Sequence, residues 1–447
     1  MAMERKWQAK AALAGLAAAL TLAGCASNGS SNGGTNQAEE TAAGEAKANE
    51  APAAQDAAAK AEPFTLQVAV WDEKLKETVQ QTFDIYKKDH PEADFKLTVT
   101  PVKEYYTKLQ TALIGGSGPD LFMMNGPNFN KFASLQLLTD LQPLVEQDAL
   151  DTSVYPDGIT KLYQYEGHQY GLPYYLGSIG LFYNKALFDA AKVPYPDETW
   201  TWETLRANAA KLTDKSQGTY GYIAANDNQS GVYPLIYQAG GSVISEDGKK
   251  SGLDAPESVA ALQFMKNLID EGISPSAQQQ LETAPVQLFG SGKAAMVPGG
   301  SYDASTLHGM LGDKLGVAPL PAGKQAGFLV HGSSWVINSK SEHQQEAWAF
   351  LKVLTGAPGA ELLAKNAVNF PAYKEAVPLW MQSIPTLDMN AFVKSLEHTG
   401  PYPVSKNTAE WQNAIIEEIT NGLLGKQSIP DAAAKAASRM NDILAKE

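Results

Sequence analysis

Phe64-Thr65-Leu66-Gln67-Val68-Ala69-Val70 alternates in polarity and is β-branched enough to read as a strand. Working outward, Lys74–Lys88 places Leu75, Val79, Phe83 and Tyr86 at helical spacing, and His90-Pro91 stops it. Lys96–Val102 reads as a second strand, Tyr105–Ile114 as a second helix ending at Gly115-Gly116, and Asp120–Met124 as a short third strand. This β-α-β-α-β order implies a parallel, doubly wound sheet with right-handed crossovers. Ligands of such sheets sit beyond the carboxyl ends of the strands. Trp71-Asp72 after the first strand and Asn125–Asn128 after the third should therefore face one crevice.

Beyond Gly171 the pattern returns in kind. Trp202–Leu212 is helical behind an N-capping Thr201, and Ser258–Glu271 is helical with Gly272 at its end. Lys293–Val297, Leu315–Pro319 and Ser334–Ile337 read as strands, and Ala409–Leu424 and Asp431–Leu444 as two closing helices. The folded part, 385 residues from Pro63, exceeds what one core usually supports, so two lobes are expected. No repeat period and no second linker appears, so the lobes pack on each other.

Residues 26–62 contain no aromatic and read as a flexible tether. Before them, Arg5, Lys6 and Lys10 precede the apolar run Ala11–Ala23, too short for the ~20 residues of a spanning helix. It reads as a cleaved signal peptide over 1–24. Leu22-Ala23-Gly24-Cys25 resembles the lipobox of bacterial lipoproteins, which makes Cys25, the only cysteine, a lipidation site. The membrane is then met through the lipid anchor only, outside the cytoplasm. The chain carries a net charge of −14, and loss of the leader makes it −16. So acidic a body argues against nucleic acid and against lying on an anionic membrane. With Cys25 acylated, no thiol remains for disulfides or thiol catalysis.

Gly118-Pro119-Asp120-Leu121-Phe122-Met123-Met124-Asn125, followed by Phe132-Ala133-Ser134-Leu135, resembles the first-lobe segment of the extracellular sugar-binding proteins of ABC transporters, of which the maltose-binding type is the best known. Gly171-Leu172-Pro173-Tyr174-Tyr175, Leu181-Phe182-Tyr183-Asn184-Lys185, Thr199-Trp200-Thr201-Trp202-Glu203, Gly290–Met296, Gly332–Ile337 and Trp348–Leu354 keep that family's order. The resemblance implies an α/β, two-lobed periplasmic-binding-protein type II (Venus flytrap) fold. Each lobe is expected to be a mostly parallel sheet flanked by helices, joined by hinge crossovers near 176–179, 328–332 and 369–373. One lobe would comprise 63–176 plus 329–372, the other 177–328 plus 373–447. It further implies a monomeric receptor without cofactor or metal, binding a carbohydrate between the lobes and partnering the transmembrane subunits of an ABC permease.

A sugar offers C–H faces ringed by hydroxyls, so recognition calls for flat aromatics and forked polar groups. The aromatic candidates are Trp71, Tyr174, Tyr175, Tyr233 and Tyr302; of the adjacent Tyr174 and Tyr175 at most one can face the cleft. The polar candidates are Asp72, Glu73, Asn125, Asn128, Ser301, Asp303, Gly332 and Ser333. Tyr302 aligns with a family aromatic that stacks on sugar, whereas Asp120 is expected to satisfy backbone groups. Trp200, Trp335, Trp348 and Trp411 read as core, and one of Met123 and Met124 as a pocket residue. At positions where the maltose-binding type has an aromatic, an acid and a base, this chain has Met124, Pro127 and Asn128, so its specificity is not inherited whole.

The six scattered histidines hold no His-x-x-x-His pair, and Asn226–Gly231 resembles a calcium loop but has Tyr237 at the twelfth position, which excludes an EF-hand. No nucleophile elbow or phosphate loop occurs. The reading is a non-enzymatic, lipid-anchored receptor. Its rivals are a surface-anchored glycan hydrolase, or the same receptor for a peptide or ion.

Overall fold

Strand β1 (Phe64–Val70) runs parallel to β2 (Ala93–Val99) on one side and β3 (Leu121–Asn125) on the other. Helices α1 (Leu75–Asp89) and α2 (Val102–Ile114) make the crossovers. The second strand ends earlier than its sequence suggests. Pro101 has no N–H to give to a ladder and instead caps α2, so Val102 is helical. The described residues are 62–447 of this computed structural model. The leader, the tether up to residue 61 and Cys25 lie outside the described residues.

After α3 (Gly126–Ser134) come the short hairpin β4 (Gln164–Tyr165) and β5 (His168–Gln169), then β6 (Gly171–Gly177) and β7 (Ile179–Asn184). Only Ser178 separates β6 from β7, yet the two strands belong to different sheets. Farther on lie β8 (Met296–Gly300), β9 (Leu315–Ala318), β10 (Phe328–Ile337), β11 (Phe370–Pro371) and β12 (Thr399–Pro401). The larger sheet has the order β11-β6-β10-β3-β1-β2, with β12 pairing the start of β10; the smaller is β8-β7-β9. The architecture is thus α/β and two-lobed. Among the strands of the described residues, parallel pairing is confined to β1–β2, β1–β3 and β10–β12. β10 is antiparallel to both β3 and β6, and the smaller sheet is antiparallel throughout. The cause is connectivity. β10 re-enters the larger sheet from the other lobe, against the direction of the strands wound locally.

Helices Trp202–Leu212, Pro256–Asp270, Thr408–Leu423 and Ile429–Leu444 bury one face each beside the smaller sheet, around Trp411, which is fully buried. Thr201 caps the first of them by accepting from the Thr204 N–H at 3.3 Å. Gly272, at φ +73°, terminates the second. Trp200, Trp335 and Trp348 are core as expected. Asp120 accepts from Gln67 N–H at 2.8 Å and Ser341 Oγ at 2.6 Å, tying β1 to the segment after β10. Its role is structural. Among the described residues no helix is long and apolar enough to cross a membrane.

Candidate functional site

The carboxyl ends of β1 and β3 carry one wall of the cleft. Trp71, just past β1, stands edge-on to Tyr105, with ring centroids 5.4 Å apart, and 6.0 Å from Tyr106. Tyr105 is fixed by donating to the Ala69 and Met123 carbonyls at 3.0 and 3.1 Å, so the platform under Trp71 is rigid. Asp72 Oδ1 accepts from Lys74 N–H at 3.0 Å, opening α1. Asn125 N-caps α3 by accepting from Asn128 N–H and Nδ2 at 3.2 and 2.9 Å, and its own N–H donates to the Tyr106 hydroxyl at 3.0 Å. Tyr175 completes this wall on β6, its hydroxyl beside Asp72, Ser333 and Trp71; burial raises its pKa.

The facing wall comes from the smaller-sheet lobe. Tyr302 follows β8, and a Cβ at Gly300 would lie 2.1 Å from its ring, so glycine there is what lets the ring fold back. Its hydroxyl donates to Gln229 at 3.3 Å, and its carbonyl accepts from Lys74 Nζ at 3.2 Å, a contact joining the two walls. Asp303 accepts from Gly300 N–H at 3.0 Å. Burial pushes its carboxyl up to about 6, Asp227 adding to the rise and Lys74 opposing it. A single π-helical turn, Asn228–Val232, presents Asn228 and Gln229. Asp227 caps that turn by accepting from Ser230 N–H and Oγ at 2.7 and 2.6 Å, and burial raises its pKa. Between the walls lies a cavity of about 540 Å³, bordered by Tyr106, Asn125 and Asn128 on one side and Asp227–Gln229, Tyr402 and Gln412 on the other. Another cavity, of about 890 Å³, sits between helices Trp202–Leu212 and Pro256–Asp270, on one lobe only.

The candidates from sequence divide accordingly. Asn125 and Asn128 line the cavity, while Trp71, Asp72, Tyr175, Tyr302 and Asp303 stand on the two walls outside its lining. Tyr174 does not: it is 2% exposed and packs its ring on Trp335 at 5.7 Å, on the opposite face of β6. Tyr233 is fully buried at the first residue of a Pro234-led helix, behind Tyr402 at 6.0 Å. Glu73 turns to solvent and pairs with Lys76 at 3.2 Å. Ser301 is buried; its hydroxyl lies 3.4 Å from the Leu176 carbonyl and from Asn369, joining two crossovers. Gly332 is a packing position, where a Cβ would lie 2.2 Å from the Tyr175 carbonyl. Ser333 is fully buried, its Oγ without a partner among the described residues. Met123 and Met124 are both fully buried, so neither lines the pocket.

Sequence reading missed Lys74, Tyr106, Asp227–Gln229, Tyr402 and Gln412. A signal existed for three elements of that set. Tyr106 is half of a Tyr-Tyr pair at a helix start, Tyr402 is an aromatic between two prolines, and Asn226–Gly231 is a polar run before a buried helix. The floor is held by Tyr163, fully buried, whose hydroxyl donates to the Gly332 carbonyl at 2.7 Å. Tyr163→Phe should therefore cost about 1 kcal/mol in urea unfolding, because it strands a buried carbonyl. An unchanged midpoint would mean the bond contributes nothing.

Two α/β lobes bridged by crossover strands, with aromatic and polar walls facing across a cleft, define a solute receptor of the hinged type. The chain belongs to the bacterial extracellular solute-binding proteins, whose family model matches residues 26–361. An ABC substrate-binding protein of Listeria monocytogenes, solved in complex with cycloalternan, superposes with a TM-score of 0.80 at 25% identity, covering 86% of this chain and 100% of that one. The GacH receptor of Streptomyces glaucescens, solved unliganded and with acarbose, gives 0.76 at 25% identity, covering 85% and 98%. An arabinooligosaccharide-binding protein of Halalkalibacterium halodurans is 26% identical over 278 residues, 60% of this chain and 61% of its own. The family binds solutes and is not enzymatic, which removes the hydrolase alternative.

Proposed function

We propose that this chain is the substrate-binding component of an ABC importer, lipid-anchored at Cys25, that captures a carbohydrate between its lobes and delivers it to the permease. The observation that carries this reading is the pairing of walls: Tyr106, Asn125 and Asn128 face Asp227, Gln229 and Tyr402 across a cavity of about 540 Å³, with Trp71 packed on Tyr106 and Tyr302 bonded to Gln229 next to it. Rings suit the C–H faces of a sugar, and Asn128, Asp227 and Gln229 suit its hydroxyls. The saccharides named for its relatives support the same class. The lobes we assign are 63–176 plus 329–372, and 177–328 plus 373–447. They agree with the strand membership of the two sheets up to β11, while β12, though in the second span, pairs the larger sheet.

A ligand that touches both walls only when they approach shifts the hinge equilibrium by its differential affinity. Closure would then present one joint surface to the permease. The test is a thermal-shift screen against mono-, di- and oligosaccharides. A ligand at ~100 times its dissociation constant should stabilise the fold by about 2.7 kcal/mol. A panel of sugars without effect, beside a peptide or ion that does stabilise, would replace the carbohydrate assignment.

A further inference from the structure

His331 lies on β10 just where the chain has re-entered the larger sheet, opposite Gly177, the last residue of β6 before the crossing. It is 6% exposed. Its ring sits over that glycine, where a Cβ would come within 2.1 Å of Nε2, so a side chain at 177 would displace it. The ring packs on Tyr302 of the other lobe, with centroids 6.1 Å apart, and on Tyr402, which follows the neighbouring strand β12 of its own sheet, at 5.8 Å. Neither Nδ1 nor Nε2 has a hydrogen-bond partner among the described residues. A neutral imidazole offers one donor and one acceptor, and burying both unpaired forfeits their hydration without return.

We propose that His331 is a positioning residue for closure: rooted beside Tyr402 in the crossover sheet of one lobe and covered by Tyr302 of the other, it loses its hydration when the cleft shuts and so biases the receptor toward the open form. Opening hydrates the ring and restores an ordinary histidine pKa of about 6.5. Shut, burial holds it down to about 4, with only the nearby Leu329 carbonyl opposing. The open form then binds the extra proton, so acidification between those values favours opening. At about pH 5.5 His331 taken alone shifts the equilibrium toward the open form roughly tenfold relative to neutral pH.

The titratable groups around the ring are Tyr302 and Asp303 after β8, Tyr402 after β12 with Tyr233 behind it, and Tyr175 on β6. β12 itself carries no charge, and on the helix Asp157–Leu162 packed against β10 both Asp157 and Lys161 are exposed. Asp303 works in the opposite sense, since its burial raises its carboxyl to about 6 and closure takes up a proton there.

Two measurements on the mature chain test the proposal. In histidine-selective proton NMR, with His331 assigned by its loss in His331→Gln, the ligand-free protein should show His331 titrating above about pH 5.5. Titration below about 4.5 would mean that the ring stays buried without ligand, and would overturn the proposal. The affinity arm rests on the carbohydrate reading: the best saccharide should bind a few-fold more weakly near pH 5.5 than near pH 7.5, the roughly tenfold effect of His331 being partly offset by Asp303. His331→Phe and His331→Gln should abolish that loss. Retention of the full loss in both His331 variants would overturn the proposal. If no saccharide binds at any pH, the carbohydrate reading falls and the NMR result decides the role of His331 alone.

Discussion

Tyr302→Ala is expected to weaken saccharide binding about 30-fold, or ~2 kcal/mol, while leaving the unfolding midpoint nearly unchanged. The ring is partly buried on the cleft wall and belongs to none of the core clusters, so its loss removes contact area for the ligand and less for the fold. The Lys74 contact is made to the backbone carbonyl of residue 302 and survives the substitution. Tyr302→Phe isolates the hydroxyl, whose bond to Gln229 is 3.3 Å long, and should lose no more than about 1 kcal/mol. Calorimetry on the two variants separates ring from hydroxyl. A Tyr302→Ala protein that binds like the parent would remove Tyr302 from the site.

The largest expected effect on stability is at Trp380. It is fully buried, stacked on Phe370 with centroids 4.6 Å apart and planes 7° apart, and 5.9 Å from Phe392. Trp380→Ala should cost about 3–5 kcal/mol in urea unfolding, from lost transfer energy and the cavity left behind. The position reaches the hinge as well. Phe370 belongs to β11, which pairs with β6 at Leu176, and the Phe392 carbonyl accepts from Ser178 Oγ, at the single residue between β6 and β7, at 2.7 Å. Trp380→Ala should therefore loosen the crossover and weaken binding at a distance. A cost below about 1 kcal/mol would show that this aromatic stack does not support the fold.

The first β-α-β-α-β unit was legible because each element announces itself locally. Alternation marks β1, a 3.6-residue spacing marks α1, and prolines and glycines mark the breaks. The direction of β10 was not legible, because a strand's own pattern is the same whichever way its neighbours run. Only the path of the chain through the second lobe sets it. The same distinction governs the site. Trp71, Asp72 and Asn125 follow directly from being strand ends in a wound sheet, and Tyr302 from the family motif. Tyr175 against Tyr174 was undecidable, since alternation says that they diverge and the face is set by which side of β6 meets Trp335. Tyr233 and Ser301 show the limit of ranking by residue type. Both sit beside cleft residues, yet a turn of backbone directs them into the core and the crossover. Tyr402 and Gln412 come from far along the chain and reach the cavity only through tertiary packing.

The most direct test is a crystal structure of the chain grown with its best-binding oligosaccharide. The account predicts a sugar ring held between Trp71 or Tyr175 and Tyr302, with hydroxyls on Asn128, Asp227 or Gln229. A saccharide found instead in the groove between helices Trp202–Leu212 and Pro256–Asp270, with the cleft filled only by solvent, would contradict it.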